Sequence, residues 1–323
     1  MVLWNMQEYT DFILKTIGTY SGIEPLAGDA SSRRYFRLST ETKKLILCVD
    51  NADNKSISSF IKIHNLFSSH KVRVPHILAV DEPAGFMILE DLGDVHLETC
   101  LTQKPLILNL YYKSLDALMN IQSIRGDEGI PFNLFFDMEK LMYEFDFFIE
   151  HFLKGFRKSD ISNSNKLRSS FEKIAEALQL QNHFVTTHRD YHSRNIIVNE
   201  GEPCIIDFQD ARMGLPQYDL VSLLEDPYAS LQGDVKQKLR DYYYEKASEK
   251  KIIKQERVEF DRMYDLMAYQ RLIKAMGTYG YMATVKNKSN YITYVDGTIL
   301  NLDSFASRHA ETANSWALLK VIF

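Results

Sequence analysis

Three polar side chains of types that could do chemistry, Asp190, Asn195 and Asp207, lie close together in the sequence. They belong to the stretch HRDYHSRNIIVNEGEPCIIDFQD, residues 188–210. Two short apolar runs separate the last two, with a turn between the runs. We expect a hairpin that is anchored in the core and returns Asp207 to the side of Asn195. An amide oxygen and a carboxylate are hard ligands that suit Mg²⁺, and Asp190 could orient a hydroxyl and accept its proton.

The spacing from His188 to Asn195 is H-R-D-x-x-x-x-N, the pattern of the catalytic loop in kinase-type phosphoryl transfer. In that pattern the aspartate sits beside the attacking hydroxyl. The asparagine and a later aspartate grip one or two Mg²⁺ ions that bridge the phosphates of ATP. The alternative is an ordinary hairpin whose polar residues only form turns and caps. His-Arg-Asp alone is a weak signal, whereas the joint pattern favours the kinase interpretation.

The first ninety residues predict a small α+β unit. An amphipathic helix begins the chain, and the apolar runs that follow it are typical of strands, with one helical period among them. The run KLILCV is nearly all apolar, so we expect it to be buried on both faces of a sheet. The predicted order after the first helix is strand (within 28–40), strand (44–49), helix (56–67), strand (74–80) and strand (85–89).

From about residue 95 the pattern changes to helix, with the hairpin as its single interruption. A turn-forming glycine in EDLGD, residues 90–94, marks the boundary. The predicted domains are therefore an N-lobe that binds nucleotide, 1–92, and a helical C-lobe with the catalytic loop, metal site and acceptor site, 93–323. The predicted helices are 106–124, 138–156, 166–180, 235–250, 257–280 and 302–319.

The composition of the 323 residues limits the classes of partner. A net charge of -5 and a pI near 6.0 argue against a nucleic-acid binder. Cys48, Cys100 and Cys204 are too far apart for a C-x-x-C pair, so we expect small buried thiols in a reducing compartment. No secretion signal or apolar run of about 18 residues is seen. We expect a cytoplasmic monomer with no membrane partner.

Three stretches carry a resemblance to a known family: GDASSRRYF at 28–36, GFMILEDLGD at 85–94, and the region 188–228. A weaker likeness is YQRLIKAMGTYGYM at 269–282. The chain resembles the aminoglycoside phosphotransferase-like branch of the protein kinase-like superfamily. It is most similar to the bacterial anomeric sugar kinases that act on N-acetylmuramate and N-acetylglucosamine. The resemblance implies a bilobal α+β fold, with ATP and Mg²⁺ as cofactors.

The resemblance also implies roles for individual residues. Asp190 would be the catalytic base, and Asn195 and Asp207 the metal ligands. His188 would support the catalytic loop, although an ordinary buried histidine is the simpler interpretation. Asp219 would brace the same loop from the start of a helix, a role compatible with plain helix capping.

The nucleotide-binding residues that the resemblance implies lie in two places. Main-chain groups of Glu90 and Leu92 would meet the adenine edge. The stretch with Ser31, Ser32 and Arg33 takes the place of a glycine-rich phosphate loop, although it contains only one glycine. Small side chains there would allow main-chain N–H groups to approach phosphate oxygens.

The usual phosphate clamp is absent from the sequence. Kinases place a lysine on the third strand and a glutamate on the following helix. Here Cys48 lies near the expected lysine, and the predicted helix at 56–67 contains no glutamate. Arg33, Arg34 and Lys55 are candidates to supply the missing positive charge; each could equally be an ordinary surface cation.

Only twelve positions separate Asp207 from Asp219, which leaves little room to dock a peptide, so we expect a small-molecule acceptor. Gln209, Asp210 and Arg212 could reach an amino sugar, or could be plain loop residues. The predicted reaction moves the γ-phosphoryl group of ATP to the anomeric hydroxyl of such a sugar, in peptidoglycan recycling. The alternatives are a phosphotransferase for aminoglycosides or other small alcohols, and a catalytically weak kinase-like binding module.

Overall fold

The computed structural model describes residues 6–26, 33–50, 55–101, 106–161, 164–180 and 183–323. A β-rich region ends at Glu90, and a larger helical region follows it. The predicted α+β class, with a small β-rich part before a helical part, is confirmed. None of the helices in these ranges is long and apolar enough to cross a membrane.

One antiparallel sheet with a helix on each side forms the β-rich region. Its strands lie in the spatial order β1-β2-β3-β5-β4. The bounds of its elements are α1 Met6–Ile17, β1 Gly22–Leu26, β2 Arg34–Ser39, β3 Lys44–Val49, α2 Lys55–Ser69, β4 Ile77–Asp81 and β5 Phe86–Glu90.

Strand β3 explains why the run KLILCV is almost wholly apolar. Leu47 and Val49 pack in a cluster with Ile13 of α1, on one face of the sheet. Cys48 belongs to the main core together with Phe60 of α2, on the other face. Because successive side chains of a strand point to opposite faces, both faces need apolar residues when both are covered. The predicted burial of this strand is confirmed.

Strand β1 was not predicted. Three strands precede α2, so the prediction of two strands there is wrong. Its sequence, GIEPL, has an exposed glutamate and a proline that has no N–H to donate. Proline is tolerated here because β1 is the edge strand and pairs only with β2. Such a strand lacks the apolar alternation on which sequence patterns depend.

Among the described residues, eight further α-helices build the C-terminal region around one continuous core. Helix α4 continues without a break as a π-helix over Ile149–Phe156, and α8 runs through the centre, packed against α4, the π-helix, α6 and α9. The bounds are α3 Leu106–Ser123, α4 Met138–Phe148, α5 Ser164–Gln179, α6 Gln217–Leu224, α7 Gly233–Glu249, α8 Arg257–Thr284, α9 Val295–Ala306 and α10 Ala310–Ile322.

The prediction of one helix over 302–319 is wrong, because the chain breaks between α9 and α10. His309 is extended there, with φ -137° and ψ 150°. The break lets two side chains reach Asp265 on α8: Arg308 donates to Oδ1 at 2.7 Å, and the His309 ring lies 3.2 Å from Oδ2. Pairing a largely buried carboxylate offsets the interruption of the helix.

Two short ribbons surround the catalytic stretch, where the sequence predicted one. Strands β7 (Ile196–Asn199) and β8 (Glu202–Ile205) form the predicted hairpin, with Ile196 opposite Ile205. Strands β6 (Val185–Thr187) and β9 (Arg212–Gly214) also pair, so the helical region has a second interruption. Strands of three residues are too short to show a period, which explains why this pair was missed.

Candidate active site

Two buried carboxylates at and beyond α6 hold the loop of residues 188–195, the predicted catalytic loop. Asp219 accepts hydrogen bonds from the backbone N–H groups of His188 at 2.6 Å and Arg189 at 3.0 Å. Asp226 accepts from the backbone N–H and the hydroxyl of Ser193 at 2.8 and 2.5 Å. Burial raises the pKa of Asp226 to about 6, against the opposing effect of these hydrogen bonds. The contacts of Asp219 agree with the role proposed for it, whereas Asp226 was missed because an aspartate in a sequence is most often an exposed surface residue.

His188 is fully buried and links the loop to the hairpin. Its Nδ1 accepts from the backbone N–H of Asp190 at 3.3 Å, so the ring proton lies on Nε2. Nε2 then donates to the carbonyl of Ile206 at 2.9 Å. Both ring nitrogens are therefore engaged in holding the loop, which is consistent with a supporting role and not with proton transfer.

Asn195 and Asp207 lie at the open end of the hairpin. The amide Nδ2 of Asn195 donates to the carbonyl of Asp190 at 2.9 Å, which leaves its Oδ1 available as a ligand. The backbone carbonyl of Asn195 accepts from Ile206 at 3.0 Å, so Asp207 is the next residue beyond that pair. Asp207 has φ 62°, a left-handed conformation that is uncommon outside glycine and enriched at functional sites.

The chemistry of these two residues fits Mg²⁺ that is shared with a nucleotide. Mg²⁺ is usually held by one or two protein oxygens, with phosphate oxygens and water completing its shell. In the ranges that the structure describes, no group of three or more His, Cys, Asp or Glu side chains could hold a metal by themselves. The described residues therefore do not complete the coordination of a metal by themselves. The amide oxygen of Asn195 and the carboxylate of Asp207 can supply the protein's share of the Mg²⁺ ligands.

Three cations surround the carboxylate of Asp190. Lys274 of α8 donates to Oδ1 at 2.9 Å, while nitrogens of Arg271 and Arg189 lie 3.8 Å from the carboxylate oxygens. Burial opposes ionisation, but the charges of Lys274, Arg189 and Arg271 outweigh it and hold the pKa of Asp190 well below its usual value. Asp190 is therefore an anion whose position is fixed from three sides.

A cavity of about 130 Å³ opens beside Asp190, between the catalytic loop, the end of α6 and α8. Both acids at the end of α6 are engaged: Glu225 pairs with Lys236 and accepts from the hydroxyl of Tyr264, and Asp226 holds the loop. The cavity is lined by Asp190, His192, Val221, Ser222, Glu225, Asp226, Pro227, Tyr228, Arg271, Leu272, Lys274, Ala275, Thr278 and Tyr279.

The cations of α8 were missed as site residues. Their stretch, YQRLIKAMGTYGYM, was noted in the sequence only as a weak likeness to the family. Lys274 and Asp190 are 84 positions apart in the chain, and only the packing of α8 brings them together. A charged Q-R-x-x-K run inside an otherwise buried helix is a signal that would have found them, because lysine and arginine are rarely buried without a function or a partner.

The three predicted acceptor residues lie near Asp190 in the chain but do not line this cavity. Gln209 donates to Asp207 at 2.9 Å, and Asp210 accepts from Arg189 at 2.7 Å. The guanidinium of Arg212 lies over the ring of Phe136, 5.1 Å from its centre. Their role in binding the acceptor stays a prediction.

The predicted adenine-edge residues are tied to the hairpin and to the sheet. The carboxylate of Glu90 accepts hydrogen bonds from both terminal guanidinium nitrogens of Arg73 and from the backbone N–H of His76. The side chain of Leu92 packs with the hairpin, and its carbonyl accepts from Asn199 at 3.3 Å. These contacts fix the segment between the two regions; that it meets adenine stays a prediction.

Of the predicted phosphate-binding residues, Ser31 and Ser32 lie outside the described residues. Arg33 is buried, and its Nε donates to Asp50 at 3.0 Å. Arg34 is exposed at the start of β2, and the side chain of Lys55 is not described. Cys48 is fully buried in β3, so the position of the usual clamp lysine carries no charge. The assignment of Arg33 to the nucleotide stays a prediction.

We expect Asp219→Asn to destabilise the protein. An amide offers one acceptor oxygen where the carboxylate accepts two backbone N–H groups, so one buried N–H loses its partner. The expected cost is about 1–3 kcal/mol in the free energy of unfolding, measured by urea denaturation. Asp234→Asn, at an exposed carboxylate of α7, is the matched control and should change this free energy by less than about 0.5 kcal/mol. Equal stability of the two variants would contradict the bracing role.

Comparisons with known proteins place this geometry in a family. A model of the phosphotransferase enzyme family matches residues 22–250, well over half of the chain. The chain belongs to this family. The phosphotransferase is 30% identical over 305 residues to an N-acetylmuramate/N-acetylglucosamine kinase of Neisseria meningitidis serogroup B, covering 91% of this chain and 88% of that protein. A kinase of the same name from Pseudomonas aeruginosa is 28% identical, with 91% and 87% covered.

Solved structures agree on the fold. A choline kinase from Cryptosporidium parvum has a TM-score of 0.66 at 13% identity, covering 97% of this chain and 100% of that one. An ADP-bound aminoglycoside phosphotransferase has a TM-score of 0.61 at 16% identity, covering 92% and 98%. Identities this low show the fold alone. The predictions of a protein kinase-like fold, of the aminoglycoside phosphotransferase-like family and of an ATP-dependent phosphotransferase are confirmed.

Proposed function

We propose that this phosphotransferase moves the γ-phosphoryl group of ATP to the anomeric hydroxyl of N-acetylmuramate and N-acetylglucosamine, with Mg²⁺. Its relatives in Neisseria meningitidis and Pseudomonas aeruginosa carry the names of those two sugars. The observation that carries the proposal is the cavity that opens directly beside the ionised carboxylate of Asp190. A place in cytoplasmic peptidoglycan recycling is part of the same proposal.

The walls of the cavity favour a neutral or anionic acceptor over a polycation. Arg271 and Lys274 contribute positive charge, whereas the carboxylates of Glu225 and Asp226 are already bonded to a lysine, a tyrosine and the catalytic loop. An aminoglycoside carries several ammonium groups and needs free carboxylates around it. The aminoglycoside alternative therefore finds no support in this cavity.

In the proposed reaction the C1 hydroxyl oxygen of the sugar attacks the γ-phosphorus, the bond to the β,γ-bridging oxygen breaks, and ADP leaves. Asp190 orients the hydroxyl and takes its proton. An anomeric hydroxyl is more acidic than a simple alcohol, so one carboxylate is an adequate base. Asn195 and Asp207 would hold Mg²⁺, which when bound supplies positive charge against the phosphates.

The nucleotide is proposed to lie between an N-lobe of residues 1–92 and a C-lobe of residues 93–323. Main-chain groups of Glu90 and Leu92 would meet its adenine. The contacts that hold the side chain of Glu90 and the carbonyl of Leu92 support this placement, because they make the linking segment a fixed edge.

A panel of acceptors tests the proposal. ADP formation is measured with ATP, Mg²⁺ and, in turn, N-acetylmuramate, N-acetylglucosamine, choline, methylthioribose, homoserine and kanamycin. The two amino sugars should exceed the other acceptors at least about tenfold in kcat/KM, and the product should have no reducing end. Preference for kanamycin or choline would support a different small-alcohol kinase. ADP formation that no acceptor stimulates would support the weak binding module.

A further inference from the structure

Lys274 is a nearly buried cation that meets the reacting end of the site. Its side chain is 17% exposed and projects from the middle of α8 into the cavity beside Asp190. Its ammonium group donates to Asp190 Oδ1 at 2.9 Å. An ammonium group has three N–H donors, so this hydrogen bond leaves capacity for a second oxygen on the cavity side.

The neighbouring cation, Arg271, is held far more firmly. Its guanidinium donates to the hydroxyl of Tyr218 at 2.5 Å and lies over the ring of that tyrosine, 4.4 Å from its centre. Tyr218 in turn donates to Glu144 at 3.4 Å, and Gln270 donates to the same carboxylate at 2.7 Å. Arg271 is thus part of a fixed buried network, whereas Lys274 carries its charge on a flexible stem.

The helix that carries Lys274 packs with its backbone close to a neighbouring segment. A Cβ atom at Gly277 would lie 2.9 Å from the Cα of Phe148, and one at Gly280 would lie 2.7 Å from the Cα of Phe152. The backbones of α8 and of the α4–π-helix segment are therefore in direct contact. This close packing sets where α8 places the backbone of Lys274, and its long side chain then reaches Asp190.

The sheet, by contrast, offers no lysine where kinases carry one, since Cys48 occupies that part of β3 and is buried. A phosphoryl group in transfer carries negative charge on three equatorial oxygens and is stabilised by cations placed around it. That group must come within bonding distance of the hydroxyl that Asp190 orients. A cation in contact with Asp190 is therefore also within reach of the phosphoryl group.

We propose that Lys274 contacts the transferred phosphoryl group and supplies positive charge to it from the helical region. This inference rests on the proposed role of Asp190 in phosphoryl transfer. In the free enzyme Lys274 is paired with Asp190. During transfer its ammonium group donates to a phosphoryl oxygen, while Asp190 takes the proton of the hydroxyl.

A competing role for Lys274 is recognition of a carboxylate on the acceptor. The contact with Asp190 argues against this role, because it places the ammonium group beside the carboxylate that takes the proton of the attacking hydroxyl. The carboxylate of N-acetylmuramate is carried on the ring position C3, two carbons away from C1. The two roles differ in kinetics, because charge that is felt only in transfer changes kcat, whereas recognition of the acceptor changes its KM.

The test compares Lys274→Met, Lys274→Arg and a control, Lys238→Met, at an exposed lysine of α7. For each protein we would measure kcat, the KM values for ATP and for both sugars, and the melting temperature. We would also measure the affinity for ADP alone and for ADP with aluminium fluoride, a mimic of the phosphoryl group in transfer, both with Mg²⁺. These two affinities can be measured without any turnover of the enzyme.

Lys274→Met should lose about 100-fold in kcat, with each KM within about threefold of the wild type. Its affinity for ADP should be unchanged, whereas the tighter binding of the aluminium fluoride complex should be lost. Lys274→Arg should recover at least about tenfold of the kcat, and Lys238→Met should match the wild type.

A higher KM for N-acetylmuramate alone, with normal kcat, would overturn the proposal in favour of carboxylate recognition. Equal loss of affinity for ADP and for the aluminium fluoride complex, or failure of arginine to restore kcat, would show a merely structural lysine. If the wild type phosphorylates neither sugar, the proposed acceptor is wrong. The two affinities then still decide the role of Lys274, so the two failures are distinguishable.

Discussion

Asp190→Asn is expected to lower kcat about 10³-fold while the affinity for ATP stays within about twofold of the wild type. The amide has almost the same shape as the carboxylate, but it cannot accept the proton of the attacking hydroxyl. The lost charge also removes the partner of Lys274, whose ammonium group lies 2.9 Å away. The adenine end of the nucleotide is proposed to be held away from Asp190, at the segment of Glu90 and Leu92, so the affinity for ATP should change little.

Kinetics with N-acetylglucosamine, together with calorimetric titration of ATP, measure the two quantities. Asp116→Asn is the matched control, because its carboxylate on α3 is exposed and its remaining amide oxygen can still accept from Tyr242. That variant should keep most of the wild-type turnover. Near-normal turnover in Asp190→Asn would remove Asp190 from its proposed role.

Asp207→Ala should abolish Mg²⁺-dependent turnover, because the carboxylate is the only charged oxygen in the proposed ligand pair with Asn195. An amide oxygen alone is a poor site for a cation that gives up its water reluctantly. The measurement is the initial rate as a function of Mg²⁺ concentration. We expect no recovery at any concentration that leaves the wild type saturated.

The backbone at Asp207 requires a second variant, since alanine is disfavoured at φ 62°. Asn tolerates this left-handed conformation, so Asp207→Asn removes the charge without the same backbone penalty. If the carboxylate binds the metal, Asp207→Asn should also be inactive, or should need far more Mg²⁺. Recovery of full activity with asparagine at the normal Mg²⁺ concentration would mean that strain, and not ligand loss, inactivates the alanine variant.

The parts of this molecule that were predicted from sequence are those whose signal is local. The hairpin could be predicted because two apolar triplets flank a turn, and β3 because a continuous apolar run indicates a strand covered on both faces. The motif residues Asp190, Asn195 and Asp207 lie within eighteen positions, so their spacing alone carries information.

The features that were missed depend on packing between distant segments. Strand β1 exists because it has β2 to pair with, and the break before α10 exists because Arg308 and His309 reach Asp265 on α8. The walls of the cavity beside Asp190 come largely from α6 and α8, whose side chains meet Asp190 across long stretches of chain. The apolar periodicity of one segment does not show which distant segments pack against it.

The backbone contact at Gly277 and Gly280 has a consequence for engineering new acceptors. Even a methyl group at either position would collide with the backbone of the α4–π-helix segment, and a shift of α8 in response would move both cavity cations. Libraries built to change substrate preference should therefore keep these two glycines constant. Ala275 and Thr278 of the same helix border the cavity and are the positions of α8 to vary instead.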